Sequence, residues 1–234
     1  MVVAIIIAGG VGSRTKQQVP KQFINVYDKP IIIYTLEQFQ KHSEINKIVV
    51  VCLEGWHDVL KAYAKQYGIS KLFKIVLGGN SGQESIKNGI DCLSDICSKE
   101  DTILVHDSIR PMVSMDIISD CILKCQLFGN GVSSLPITEQ IFWVKDEKST
   151  EQYIPREQVK IVQTPQAYQY GNLKAAYEKA WKEKIGMKDS SYTNTMMADL
   201  GEELYFSKGS SKNIKITTKD DIEIFKAMVK NNEL

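Results

Sequence analysis

The residues Val2-Val3-Ala4-Ile5-Ile6-Ile7-Ala8, running directly into Gly9-Gly10-Val11-Gly12-Ser13-Arg14, decide the fold of this chain. An unbroken apolar run leaves no polar face, so the segment is a strand covered on both sides, as in a parallel sheet. It is too short to span a membrane and has no basic stretch ahead of it, so it reads as neither an anchor nor a leader. A glycine-rich turn at the carboxyl end of such a strand lets backbone approach a ligand closely. It also aims successive N–H groups at phosphate oxygens.

Spacing separates the kinds of phosphate loop. A dinucleotide fingerprint needs a third glycine three residues after Gly12, where Thr15 stands, and a Walker loop needs Gly-Lys-Ser/Thr, which is missing. Instead the turn runs into Arg14 and then reaches Lys21, within Pro20-Lys21-Gln22-Phe23. Two cations that close to a glycine turn suit a clamp on a triphosphate. A plain glycine turn with solvated cations is the competing reading.

Outward from this loop, strand and helix patterns alternate. Strands are expected at Lys47–Cys52, Phe73–Leu77 and Thr102–His106. Helices are expected from Pro30 to His42, over Trp56–Tyr67 with Gly68 ending it, over Glu84–Cys97 and over Met115–Phe128. Repeated units of this length imply an α/β fold with a parallel, doubly wound sheet. The rhythm breaks between Gly131 and Gln163, where short β-like stretches flank a polar segment and read as a strand with a projecting β-arm. Regularity returns with helices over Asn172–Glu183, around Thr195–Leu200 and over Asp220–Val229, and a strand at Ile214–Thr217. One domain over residues 1–234, with an arm at about 134–161, is the expectation.

Composition narrows the partners. A net charge of +1 gives no electrostatic footprint for nucleic acid or for a membrane surface, so phosphate chemistry has to come from local clusters. Five cysteines without a Cys-x-x-Cys pair suit a reducing, cytoplasmic setting. Cys121 and Cys125 are helical neighbours, read as buried thiols rather than metal ligands.

Leu104-Val105-His106-Asp107 ends the fourth strand, and Ser108-Ile109-Arg110-Pro111 comes directly after it. A carboxylate there lies on the ligand side of an open sheet. It can hold Mg²⁺, which takes one or two carboxylates together with phosphate oxygens, while Arg110 meets a second phosphate. The alternative is an Asp capping the next turn and pairing with Arg110. His106 reads as a strand residue facing the other way. Gly78-Gly79-Asn80-Ser81-Gly82-Gln83-Glu84-Ser85 offers close backbone and hydroxyls for a pyrimidine edge, and equally suits a helix N-cap.

The motifs AGGVGSR, PKQF, GGNSGQES, VHDSIRP, QTPQAY and NIKITT, in this order, resemble the cytidylyltransferases that act on methylerythritol phosphate and on ribitol or related polyol phosphates. The resemblance implies a Rossmann-like nucleotidyltransferase fold, CTP as substrate and a homodimer joined through the arm. It implies Arg14 and Lys21 on the triphosphate and Lys215 in catalysis. It implies Mg²⁺ on Asp107, and Ala8, Gly9, Gly10, Gly12, Gly79, Asn80 and Ser85 around the nucleotide. It also implies Arg110, Gln140, Arg156, Thr164, Thr193 and Lys215 around the acceptor phosphate, some from the partner subunit.

Three positions depart from the family pattern: Glu139-Gln140 with Phe142 and Trp143 on the arm, Gly82 in the third loop, and Asn194 after Thr193. Two of these lie near the acceptor pocket and favour a polyol phosphate other than methylerythritol phosphate. The expectation is an enzyme making a CDP-polyol for a surface polymer. The alternatives are a methylerythritol phosphate enzyme and an inactive nucleotide-binding scaffold; intact Arg14, Lys21, Asp107 and Lys215 argue against the scaffold.

Overall fold

A computed structural model describes residues 1–10, 19–186 and 192–231. Arg14 and Gly12 of the expected triphosphate loop therefore lie outside the described residues.

The chain runs β1 (Val2–Ala8), β2 (Asn25–Val26), β3 (Lys29–Pro30), α1 (Ile31–Lys41), β4 (Lys47–Cys52), α2 (His57–Gln66), β5 (Leu72–Leu77), α3 (Gly82–Asp91) and β6 (Thr102–Asp107). Then come α4 (Met115–Phe128), β7 (Asn130–Pro136), β8 (Ile141–Trp143), β9 (Gln152–Ile154), β10 (Lys160–Gln169), α5 (Tyr170–Glu183), α6 (Thr193–Asp199), β11 (Phe206–Lys208) and α7 (Lys219–Lys230). Seven strands form one sheet in the order β11-β7-β10-β6-β1-β4-β5. The pairs of β1 with β4, β1 with β6 and β4 with β5 are parallel, whereas β10 runs antiparallel between β6 and β7.

Alternation along the strands sends side chains to two cores. Ala4, Ile6 and Ala8 of β1 pack with α1 and α4 on one face, and Val3 and Ile5 pack with α3 and α5 on the other. On the second face α3 comes close because residue 89 is glycine. A Cβ there would stand 2.7 Å from Ile5 Cγ2 and 3.0 Å from Val51 Cγ2. A third cluster joins Tyr34 and Ile31 to Ile216, Ile222 and Phe225 beneath α7. Cys121 and Cys125 are buried, as expected, and burial pushes their thiols up to about 12 and about 11. Among the described residues no helix is long and apolar enough to cross a membrane.

Two expected elements are corrected. The helix expected over Glu84–Cys97 ends at Asp91. Beyond it, Leu93 N–H and Ser94 N–H reach back only three residues, and Ser94 Oγ donates to Asp91 O, which tightens the chain into turns. The strand expected at Ile214–Thr217 joins no sheet; Ile216 N donates to Ile109 O instead. Its alternation is satisfied differently, with Ile216 in the third core and Lys215 reaching toward Asp107, so no partner strand is required. The late strand is instead β11, which pairs parallel with β7.

The arm rises from the β7–β10 pair, where Lys160 faces Pro136, and carries the two-stranded β8–β9 sheet. Phe142 sits opposite Tyr153, and Phe142, Trp143, Val144 and Tyr153 are all exposed.

Candidate active site

The sheet order places β6 beside β1, and their parallel register sets Asp107 opposite Ile7. After β1 the chain moves through β4 and β5 to one side, then returns through α3 to β6 on the other. This reversal is a topological switch point, where the carboxyl ends of parallel strands open a crevice. The glycine turn and Asp107 therefore share one mouth.

One side of the mouth is built from two glycine loops held against each other. A Cβ on Gly9 would lie 3.2 Å from Ser85 Oγ and 3.5 Å from Gly78 Cα, and one on Gly78 would lie 3.3 Å from Gly9 Cα. Backbone meets backbone here, which glycine alone allows without displacement. Gln22, buried beside Lys21, donates from Nε2 to Ala8 O at 2.7 Å and Gly10 O at 3.2 Å, tying the Lys21 turn to the end of β1.

Ser85 is 4% exposed; its hydroxyl accepts from Gly79 N and donates to Ser81 O. Its chemistry is spent inside the loop, so Ser85 shapes the 78–85 turn. Ser81 caps α3 by accepting from Glu84 N at 3.1 Å, and Glu84 returns to Asn80 N at 2.7 Å. The capping reading of this stretch is thus realised, and it leaves Gly79 and Asn80 at the loop's outer turn.

The other side is a charge cluster around Asp107. Arg110 Nε lies 3.2 Å and Lys215 Nζ 3.1 Å from the same oxygen, Asp107 Oδ2. Burial pushes the Asp107 carboxyl up, but Lys215 and Arg110 outweigh it and hold the carboxyl below its ordinary value. Arg110 is held in turn by Asn213 O at 2.8 Å. Thr164 Oγ1 accepts from Asp107 N at 3.1 Å. These residues, with Val162, Gln163, Gln166, Tyr192 and Asn194, line a cavity of about 240 Å³.

His106 faces away from the mouth, as expected from strand alternation, and is fully buried against Phe39. Its Nε2 lies 3.1 Å from Arg110 O, a group that only accepts, so Nε2 carries the proton. Nδ1 then accepts from Thr164 Oγ1 at 3.1 Å. Burial pushes His106 down to about 4. The imidazole is neutral and fully bonded, so it is unsuited to general-base work.

The donor set bears on Mg²⁺. Among the described residues no group of three or more His, Cys, Asp or Glu side chains could hold a metal. Among the described residues Asp107 is the one carboxylate lining the cavity, and its Oδ1 has no bond among them. One carboxylate suits a Mg²⁺ that arrives with phosphate oxygens and water, which is the ordinary way this ion is held.

Of the remaining expected residues, two are separated from this cluster within one chain. Gln140 and Arg156 line a different cavity, of about 490 Å³, on the arm, where Arg156 pairs with Glu157 and donates to Thr138 O. Thr193 is turned inward. It is 1% exposed, and its hydroxyl meets Tyr177 Oη at 2.8 Å, which itself donates to Gln83 Oε1. Its neighbours Tyr192 and Asn194 line the cavity instead. Asn194 is one of the departures from the family pattern, whereas Tyr192 and Gln166 are lining residues that motif reading missed; the alternation of a strand and the start of a helix give no signal for which hydroxyl or amide points inward.

The family model for 2-C-methyl-D-erythritol 4-phosphate cytidylyltransferase (IspD) matches residues 2–231. This chain belongs to that family. The enzyme is accordingly a nucleotidyltransferase of the cytidylyltransferase type. It is 51% identical, over the whole of both chains, to a ribitol-5-phosphate cytidylyltransferase of Lacticaseibacillus paracasei. A ribitol-5-phosphate cytidylyltransferase of Vibrio parahaemolyticus is 33% identical, covering 100% of this chain and 98% of its own. A 2-C-methyl-D-erythritol 4-phosphate cytidylyltransferase of Clostridium botulinum is 36% identical over 93% of each chain. Among solved structures, the 4-diphosphocytidyl-2C-methyl-D-erythritol synthase of Anaerococcus prevotii superposes with a TM-score of 0.82. It covers 98% of this chain and 96% of its own at 22% identity, a likeness of fold.

Proposed function

We propose that the enzyme transfers CMP from CTP to ribitol 5-phosphate, giving CDP-ribitol and pyrophosphate. The full-length 51% identity to a ribitol-5-phosphate cytidylyltransferase carries the choice of acceptor. A CDP-polyol is an activated donor of the kind a surface-polymer transferase consumes.

The chemistry rests on charge. A phosphate monoester has a second pKa near ~6, so at neutral pH the acceptor is largely dianionic and is its own nucleophile. One of its oxygens bonds to the α-phosphorus of CTP as the bond from that phosphorus to the bridging oxygen breaks, and pyrophosphate leaves with the electron pair. No proton has to move. The neutral, doubly bonded His106 is consistent with this. The barrier is the meeting of two anions, and cations fixed beforehand lower it.

Arg110 and Lys215 receive the acceptor phosphate in this reading, with Thr164 at the wall. Lys21 and Arg14 hold the triphosphate against the N–H groups of Gly9, Gly10 and Gly12, while Ala8, Gly79 and Asn80 border the base and ribose. Asp107 would hold Mg²⁺ together with nucleotide phosphates, and the ion would neutralise charge there. The ion pairs that Asp107 makes with Arg110 and Lys215 keep both cations at the mouth until phosphate arrives.

The arm is read as a dimer element that brings Gln140 and Arg156 to the partner's cleft. A two-stranded sheet that leaves Phe142, Trp143 and Tyr153 in water is marginal alone, and an exposed aromatic patch of this kind suits burial against a second copy. Five free cysteines, three of them buried, support a reducing, cytoplasmic setting.

The test is pyrophosphate release from CTP and Mg²⁺ with ribitol 5-phosphate, methylerythritol 4-phosphate and glycerol 3-phosphate. Ribitol 5-phosphate is expected to give the highest kcat/KM by about tenfold or more. Preference for methylerythritol 4-phosphate would overturn the acceptor reading, and turnover of none would return the scaffold reading.

A further inference from the structure

The cavity beside Asp107 is lined by two chemically different sets of groups. One is cationic, Arg110 and Lys215; the other is neutral amide, including Gln166 and Asn194. The amide set is wired from the core. Tyr168 is fully buried, and its hydroxyl donates to Gln166 Oε1 at 2.9 Å. Gln166, 5% exposed, has its Nε2 3.5 Å from Gln163 O and donates to Asn194 Oδ1 at 3.2 Å.

The relay has one direction in the structure. Gln166 turns its nitrogen end to Asn194 Oδ1 and toward Gln163 O, which only accepts, and its oxygen end takes the Tyr168 proton. That nitrogen in turn requires an acceptor from Asn194. Asn194 therefore gives its oxygen to the protein and keeps its two N–H donors. Among the described residues Nδ2 has no partner, and Asn194 is half-buried at the cavity wall.

We infer that Asn194 is a specificity-determining residue, whose Nδ2, aimed by the Tyr168–Gln166 relay, donates to a hydroxyl oxygen of the polyol chain while Arg110 and Lys215 hold its phosphate. This rests on the proposed reading of the cavity as the acceptor site. A neutral donor suits that position for two reasons. A polyol offers hydroxyl oxygens as acceptors along its length, and a carboxylate at 194 would add a second negative charge near a dianionic acceptor already facing Asp107. Tyr192 closes the cavity on the cation side, its ring 5.5 Å from Lys215 Nζ.

The test uses two variants. Asn194→Ala removes the donor without adding charge; Asn194→Asp removes it but still gives Gln166 an acceptor, so the wall stands if the alanine variant folds poorly. Loss of one such contact is expected to raise the acceptor KM by about tenfold in Asn194→Ala, and by more in Asn194→Asp, whose charge also repels the acceptor, with KM for CTP within about twofold of the parent. For Asn194→Ala, the inhibition constant of inorganic phosphate, competing with the acceptor, should stay unchanged, because the contact is to a hydroxyl. An unchanged acceptor KM overturns the inference. So does an equal weakening of inorganic phosphate, which would put the contact on the phosphate, or a parallel loss for CTP, which would mark a structural role. If the parent enzyme prefers a different polyol phosphate, the acceptor reading fails by itself, and the same variants measured on that polyol phosphate still decide whether Asn194 reads a hydroxyl.

Discussion

His106 allows a prediction that separates one residue's effect on stability from its neighbours'. It is 0% exposed, packs on Phe39 with ring centroids 5.0 Å apart, and spends both nitrogens inside the protein. Burial lowers it from 6.5 to about 4. The unfolded chain therefore binds a proton between those values that the folded protein refuses, so stability falls as pH falls through that window. The contribution is present at neutral pH. About 2 kcal/mol of it is gone by pH 5 and about 3 kcal/mol by pH 4, at ~1.4 kcal/mol for each pH unit.

Other groups do not mask the effect. Asp101 and Asp107 are held below the ordinary carboxyl value of 3.8, so what they contribute is present above that value and lost only as pH falls beneath it. His42 is also lowered by burial and acts in the same direction, but it is shared by parent and variant. The perturbation is His106→Gln, whose amide can still donate to Arg110 O and does not titrate. Urea unfolding at pH 7, 6, 5 and 4 gives the stability of each protein. The parent should lose about 3 kcal/mol more than His106→Gln between pH 7 and pH 4. Equal acid sensitivity of the two would refute a neutral, buried imidazole at this site.

Lys21→Ala should lose most turnover in a pyrophosphate-release assay while its unfolding midpoint stays near the parent's; near-normal activity would remove Lys21 from the triphosphate. Gly89→Ala should destabilise by about 1–3 kcal/mol in chemical denaturation, because a methyl 2.7 Å from Ile5 Cγ2 forces α3 off the sheet. Trp143→Glu should shift the protein toward monomer in sedimentation and lower turnover if the arm joins two copies, whereas an unchanged molecular mass would remove the arm from the interface. Chelation of divalent cations should abolish turnover and leave the unfolding midpoint of the nucleotide-free protein unchanged, because a Mg²⁺ held by Asp107 and nucleotide phosphates is not part of the empty fold.

How much was legible depended on how local the determining physics is. Val2–Ala8, Lys47–Cys52 and Met115–Phe128 were readable to the residue, because a continuous apolar run or a 3.6-residue period between turn signals has one low-energy solution. The crevice was readable too: a glycine turn after the first strand and a carboxylate ending a parallel strand must share the carboxyl edge of the sheet. The family motifs carried Lys215 and Thr164 to the same place, and the structure brings both to Asp107.

The tertiary structure alone decided matters that depend on which neighbour a side chain finds. Ile214–Thr217 has a strand's alternation, yet its Ile216 N bonds to Ile109 O after β6, and the edge position beside β7 went to Phe206–Lys208. Thr193 and Asn194 are adjacent in sequence, but the first turns into the core to meet Tyr177 and the second faces the cavity. The amide direction at Asn194 is set two residues away in contact, by a tyrosine in the core and a glutamine on β10. Sequence by itself determined the central parallel strands and the crevice they open, because apolar runs and turn signals act within short stretches, and the class of chemistry was carried by the family motifs. Which hydroxyl, amide or cation meets the substrate depends on hydrogen-bond partners drawn from distant segments, and only the folded packing selects among them.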